Sequence, residues 1–221
     1  MAVMIARERE TITVPVWVTD LASFRRWTHL DEFPDDAKIL YFDGNVMVDQ
    51  SMERLLHSTI KAEIAASLSN WSREHVSGIV CVDSMRFINQ DADLSVEPDV
   101  IFVTDESLTK GRASVEDGDD SLEIEGSPDI VVEIISPTSF TKDADILRKK
   151  FCEAGVSEYW LVDSRDTLEF TLLKRQGKRY VAVTPDAQGW LRSQVLGARC
   201  RLVRKPGVAG ITRVTLQMKK T

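Results

Sequence analysis

Residues 129–135 read Asp-Ile-Val-Val-Glu-Ile-Ile, a carboxylate set inside an otherwise β-branched run. A strand that is apolar on both faces is covered on both faces, so the chain must build layers above and below it. An ionised Glu133 is costly there unless it is paired or bound to a cation. A second run of the buried type, residues 100–103, is introduced by Glu97-Pro98-Asp99. If the two strands are neighbours, Asp99 and Glu133 converge on one hard divalent cation such as magnesium. The residues alone leave a second reading equally open, in which Glu133 pairs with an Arg or Lys and Asp99 caps a turn.

Around this strand the apolar period alternates between helix and strand values. Thr19-Asp20 caps a short helix that carries Leu21, Phe24 and Trp27 on one side. Residues 38–42 and 46–48 flank Asp43-Gly44-Asn45, which predicts a hairpin. Ser51 opens a long helix to about Trp71, with Met52, Leu55, Leu56, Ile60, Ile64 and Leu68 at helical spacing. Residues 79–82, 86–88 and 159–162 read as strands. Ser139 or Thr141 starts another helix, with Ala144, Leu147, Phe151 and Ala154 inward and Gly155 as its stop. Residues 168–173 and 180–183 form a hairpin about Gln176-Gly177, and short β-type segments close the chain. The order predicts an α/β (α+β) fold, a mixed β-sheet flanked by helices. Residues 106–128 read as irregular; their acids lack the alternating spacing of a calcium loop and are expected to be solvated.

A length of 221 residues suits one domain over 1–221, with a helical extension at 1–36 and a β-type segment at 187–221. No apolar run approaches a membrane span, and the first ten residues carry Arg and Glu where a signal peptide needs apolar residues. Neither a membrane partner nor secretion is therefore expected. Cys81, Cys152 and Cys200 stand far apart and read as thiols of a reducing compartment, the cytoplasm. The three histidines stand singly, which argues against zinc. Phosphate-loop, dinucleotide-binding and GxSxG motifs are missing. The net charge of −7 argues against general coating of nucleic acid, but it is unevenly spread. Residues 187–221 hold eight cations and no acid, leaving −15 on the first 186 residues. Such an end can offer a polyanion a local cationic face, or be a solvated tail.

The run PDV at 98–100, SPDIVVEIISPTS at 127–139, KD at 142–143 and EAGVSEYWLVD at 153–163 resemble the Uma-two family of restriction-endonuclease-like proteins, within the PD-(D/E)XK nuclease superfamily. The similarity extends more weakly to the Asp43-Gly44 hairpin and His57, and covers about residues 37–204. The resemblance implies a restriction-endonuclease-like core in which Asp99 and Glu133 bind Mg2+, with Mn2+ as a substitute. The carbonyl of Ile135 is expected as a further ligand. The implied partner is DNA, cut by a metal-activated water, and enzymes of this kind often act as a homodimer.

The sequence departs from the superfamily pattern at its lysine. That slot, two residues after the Glu, holds Ile135, and the alternative helix slot holds Leu147. Lys142, Lys149 and Lys150 are the nearest replacements, and Lys142, in the first turn of the helix after the Glu133 strand, is the expected charge stabiliser. Glu53 and Glu63 project into the apolar arc of the long helix, with His57 at its edge. Glu53 is the expected auxiliary acid. Two rivals share the fold: a binding module with degraded catalysis, favoured by the missing lysine, and a metal-dependent hydrolase of a small phosphorylated substrate.

Overall fold

The doubly apolar strand lies inside a six-stranded sheet in the computed structural model, which describes residues 12–34, 37–49, 53–135 and 141–221, the side chains of 141–144 excepted. The chain runs through α1 (Leu21–Thr28), β1 (Lys38–Phe42), β2 (Asn45–Asp49), α2 (Leu55–Glu74), β3 (Gly78–Val82), β4 (Arg86–Asn89), β5 (Leu94–Val96) and β6 (Val100–Thr104). It continues through α3 (Asp105–Thr109), β7 (Ala113–Ser114), β8 (Glu123–Gly126), β9 (Ile130–Ile135), α4 (Thr141–Glu153) and β10 (Glu158–Asp163). The last elements are β11 (Glu169–Gln176), β12 (Arg179–Ala182), β13 (Leu191–Ser193), β14 (Ala198–Pro206) and β15 (Thr212–Lys220).

Two mixed sheets result, in the orders β2-β1-β5-β4-β8-β7 and β12-β11-β10-β9-β6-β3, with a third sheet β13-β14-β15. Strand alternation sorts their side chains into layers. Ile39, Tyr41 and Ile88 pack against Leu21, Phe24 and Trp27 of α1. From the opposite face of that sheet, Leu40, Phe87, Leu94 and Ile124 join Ile101, Val131 and Tyr159, together with Leu147 and Phe151 of α4. The far face of the second sheet, with Val100, Phe102, Ile130, Val132, Ile134 and Trp160, is covered by α2 and the third sheet. Strand β9 is thus enclosed on both sides, as its composition requires.

Local chemistry explains the boundaries. Asp20 caps α1 by accepting the Ser23 N–H, while Ser23 returns a bond to the Asp20 N–H. Asp43 and Gly44 both take positive φ, 49° and 74°, the twist that a two-residue hairpin turn requires. Gly155 sits at φ +81° just past α4, where a side chain would be strained.

Several expectations change. Helix α2 begins at Leu55, so Glu53 precedes it rather than standing in its first turn. Leu55, expected inward, is exposed, while Lys61 and Ser72 are buried on the inner face. Ser51, Met52 and Ser139 lie outside the described residues, as does the side chain of Ala144. The stretch expected to be irregular contains α3, β7 and β8, and Glu123 within it is 4% exposed, held by Arg25. A lone acid count over a loop misses this because the partner lies about a hundred residues earlier. The closing segments are not all short: β14 and β15 are nine residues each and pair along their length. Cys81, Cys152 and Cys200 are unpaired thiols, and among the described residues no helix is long and apolar enough to cross a membrane.

Buried carboxylates fasten the third sheet. Glu158 at the start of β10 accepts from the Trp160 indole at 3.0 Å, the Ser193 hydroxyl at 2.8 Å and the N–H groups of Gln194 and Val195 at 2.6 and 3.1 Å. Burial pushes its pKa up, and these donors pull against that shift. Glu63 of α2 accepts the Leu216 N–H at 2.9 Å, and the Trp71 indole donates to the Leu196 carbonyl at 3.0 Å. Glu158→Ala orphans four donors and is expected to lower unfolding stability by about 3 kcal/mol in denaturant titration, with Glu158→Gln losing less.

Candidate active site

Strands β6 and β9 are antiparallel, with Val100 opposite Val132, so one step further the register sets Asp99 opposite Glu133. Both point into the layer between the two large sheets, the side shared by Ile101 and Val131. Asp99 is 6% exposed. Its Oδ2 accepts the Ile134 N–H at 2.7 Å, tying the two strands together beyond their ladder. Its Oδ1 faces His57 Nε2 at 3.1 Å and Lys61 Nζ at 3.5 Å. Lys61 also reaches Glu53 Oε1 at 2.9 Å and Asp83 Oδ1 at 2.5 Å, and Glu53 lies 3.7 Å from His57 Nε2. His57 and Lys61, four residues apart, share the face of α2 that looks at Asp99. Of the expected residues, Asp99, Glu133 and Glu53 therefore gather at one end of β9.

The two central carboxyls are driven in opposite directions. Burial would raise Asp99, but the bond to His57, the Lys38 and His57 charges and the Ile134 N–H outweigh it and hold the pKa at about 2. Glu133 is pushed up to about 8, first by burial and then by the charges of Asp99 and Asp49, against the pull of Lys38 and Lys61. The two shifts favour a proton on Glu133 rather than on Asp99 in the metal-free pair, because two adjacent carboxylates with little water between them resist ionising together. Lys38 shares its strand face with Leu40 and Phe42 and so comes at Glu133 from the opposite sheet. Its pKa is raised: burial works to lower it, and the charges of Glu133, Asp99, Asp49 and Glu97 overcome that.

Lys38 and Lys61 were not picked out from the sequence. A signal existed for each: Lys38 occupies an inward position of a strand otherwise filled by Leu40 and Phe42, and Lys61 lies between Ile60 and Ile64 on the apolar arc. Lys142 stands in the first turn of α4, and its side chain lies outside the described residues. Lys149 is solvated beside Glu153, at 3.7 Å. Lys150 is buried elsewhere, bonding Asp43 and the Ala92 carbonyl, where it clamps the β1–β2 turn. The Ile135 carbonyl accepts from both the N–H and the hydroxyl of Ser164, at 3.0 and 2.9 Å, so its two lone pairs are already used. A polar cavity of about 850 Å³ opens at the other end of β9, beside Asp129. Its carboxylate is saturated there by Thr104, Ser107 and Arg112.

The donor set fits a hard cation. Among the described residues no group of three or more His, Cys, Asp or Glu side chains forms a ready-made cage. Magnesium does not need one: it keeps several waters and takes one or two carboxylates together with substrate phosphates. The Tyr159 hydroxyl, buried without a hydrogen-bond partner among the described residues, lies within the field of Glu133 and Asp99.

Residues 21–212 match the model of the family Uma2, described as "Putative restriction endonuclease". A crystal structure described as that of "a putative nuclease belonging to DUF820 from Anabaena variabilis ATCC 29413" superposes with a TM-score of 0.59 at 19% identity. The match covers 80% of this chain and 90% of that one, and at this identity it is a likeness of fold. No curated protein matches.

Glu133 gives the site a signature in stability. A carboxyl with a raised folded pKa contributes most below its unfolded value, near pH 4.5, and loses that contribution as pH rises through about 8. Glu133→Gln has no such loss. Its stability relative to wild type, in EDTA, is expected to improve by about 4 kcal/mol between pH 5 and pH 9. Equal pH profiles for the two proteins would refute the raised pKa.

Proposed function

The chain belongs to the Uma2 family, and from that premise we propose that it is a magnesium-dependent endonuclease cutting the phosphodiester backbone of DNA. The observation that carries this reading is the opposition of Asp99 and Glu133 on adjacent antiparallel strands, with cationic side chains around them. Asp99 and Glu133 would hold Mg2+ or Mn2+. When bound, the ion would polarise a phosphate oxygen and lower the pKa of a water.

The protein's own groups divide the remaining work. Asp99 is kept ionised and aimed by the Ile134 N–H and by His57. Glu53 is the auxiliary acid, positioned by Lys61, which bridges it to Asp99. Lys38 takes the part of the lysine missing at position 135. Because its pKa is raised, it stays an ammonium through neutral pH. It therefore acts as a fixed charge against the phosphate in the transition state rather than as a proton acceptor. Lys142 is a second cation for this role, at the head of α4. The Ile135 carbonyl, already bonded twice, is left out of the ligand set.

Cleavage of supercoiled plasmid with magnesium or manganese, run beside titration calorimetry of the metal, tests the reading. Asp99→Asn and Glu133→Gln are each expected to abolish metal binding and cleavage. Lys38→Met is expected to keep metal binding and to lose roughly a hundredfold or more in rate. Lys142→Ala is expected to lose less than tenfold; the reverse order of the two lysines would return the role to Lys142. Metal binding without cleavage of any DNA would favour the hydrolase of small phosphorylated substrates. No metal binding, with Glu133→Gln indistinguishable from wild type, would leave a binding module.

A further inference from the structure

The third sheet presents a cationic face that its own fold does not explain. Cross-strand partners in register share a face of a sheet. Ala198, Cys200, Leu202, Leu216 and Met218 face inward onto the α2 layer. The opposite face carries Arg192 across from Arg199, Arg199 across from Lys219, Arg201 across from Gln217, and Lys205 across from Arg213. Six of the eight cations of residues 187–221 thus share one face, and no acid lies in that stretch. Like charges directly opposite on a sheet oppose pairing. Among the described residues, Asp186 is the acid that meets this face, 3.4 Å from Arg199. Trp190 lies across the same face, with Arg201 at 4.6 Å and Lys219 at 4.0 Å from its ring centre. The ring holds a guanidinium and an ammonium close together without neutralising either.

We infer that this face is a docking surface for the phosphate backbone of duplex DNA. Two cationic rows lie six residues apart along β14, about 20 Å, a span that sets one row on each phosphate ridge flanking a B-form major groove. The face is also placed for it. Leu196 and the Lys220 end of the sheet sit at Trp71, and Leu216 sits at Glu63, so the β14–β15 tip with Lys205 and Arg213 runs toward the amino-terminal end of α2. That is the end bearing His57 and Lys61. The acidic body repels the polymer elsewhere, which confines it to this face. The inference rests on the nuclease reading only for the identity of the polyanion.

The test is fluorescence anisotropy of a 30-base-pair duplex with the Glu133→Gln protein in EDTA, alone and with Arg192→Gln, Lys205→Gln and Arg213→Gln added. These three side chains do not hold Trp190. Between 50 and 200 mM salt the parent is expected to lose roughly a thousandfold in affinity and the triple variant roughly twentyfold, a slope smaller by about 2.7. Melting of the triple variant is expected at or above the parent temperature, since like charges are removed. An unchanged slope overturns the inference, as does a parent that binds anionic-lipid vesicles or polyglutamate but not duplex. Cleavage by the wild-type protein with an unchanged slope sinks this surface and leaves the nuclease reading. Binding that needs the three cations, with no cleavage by wild type in any metal, sinks the nuclease reading and leaves the surface.

Discussion

The pairing of β6 with β9 is the constraint from which the rest of the molecule follows. It sets Asp99 opposite Glu133 and lets Asp99 accept the Ile134 N–H, so a backbone bond and a carboxylate of the candidate site share one geometry. Both strands are packed between apolar layers, which weakens the screening between the two acids and drives their pKa values apart. Enclosure is also what makes cations necessary. With two carboxyls facing one interlayer space, the fold brings Lys38 from the opposite sheet into their field and Lys61 from α2 to within 3.5 Å of Asp99.

The same logic of buried carboxylates recurs away from the site, with a different outcome. Asp129, Glu158 and Glu123 are buried as deeply as Asp99, yet backbone N–H groups, hydroxyls and an arginine occupy Asp129 and Glu158 from within the chain, and Arg25 holds Glu123 by its Oε1, its Oε2 being buried without a hydrogen-bond partner among the described residues. Those acids are structural fasteners: Asp129 joins α3 to β9, Glu158 holds the third sheet and Glu123 holds α1. Glu133 differs: among the described residues it has no hydrogen-bonding partner, and burial and the neighbouring Asp99 charge push its pKa up to about 8.

The third sheet adds a further division of labour. Its inner face is bound to the body by Glu63, Glu158 and Trp71, so its position relative to α2 is fixed by buried bonds. Its outer face is then free to carry charge that would be unfavourable in a core. An acidic body with a cationic sheet fastened to it is how a chain of net charge −7 would meet the polyanionic partner proposed above.

Much of this was legible in the sequence, for identifiable reasons. The Asp20 cap, the Asp43-Gly44 turn, the Gly155 stop and the doubly apolar β9 are local signals, set by backbone sterics and by the cost of leaving polar groups unpaired. The carboxylate pair followed from them, because a Glu in a strand covered on both faces demands a partner, and the motifs around it pointed to the Uma2 family that residues 21–212 match. The cations were not legible. Lys38 is 95 positions from Glu133, and its meeting with that residue depends on how one sheet lies upon another, which no local period encodes. The bonds from Ser164, on the chain beyond β10, to the Ile135 carbonyl were not legible for the same reason. Local chemistry therefore determined which residues had to be buried and which acids needed a counter-charge; tertiary packing alone decided which cations supply it, because that choice is made by sheet stacking between segments distant in sequence.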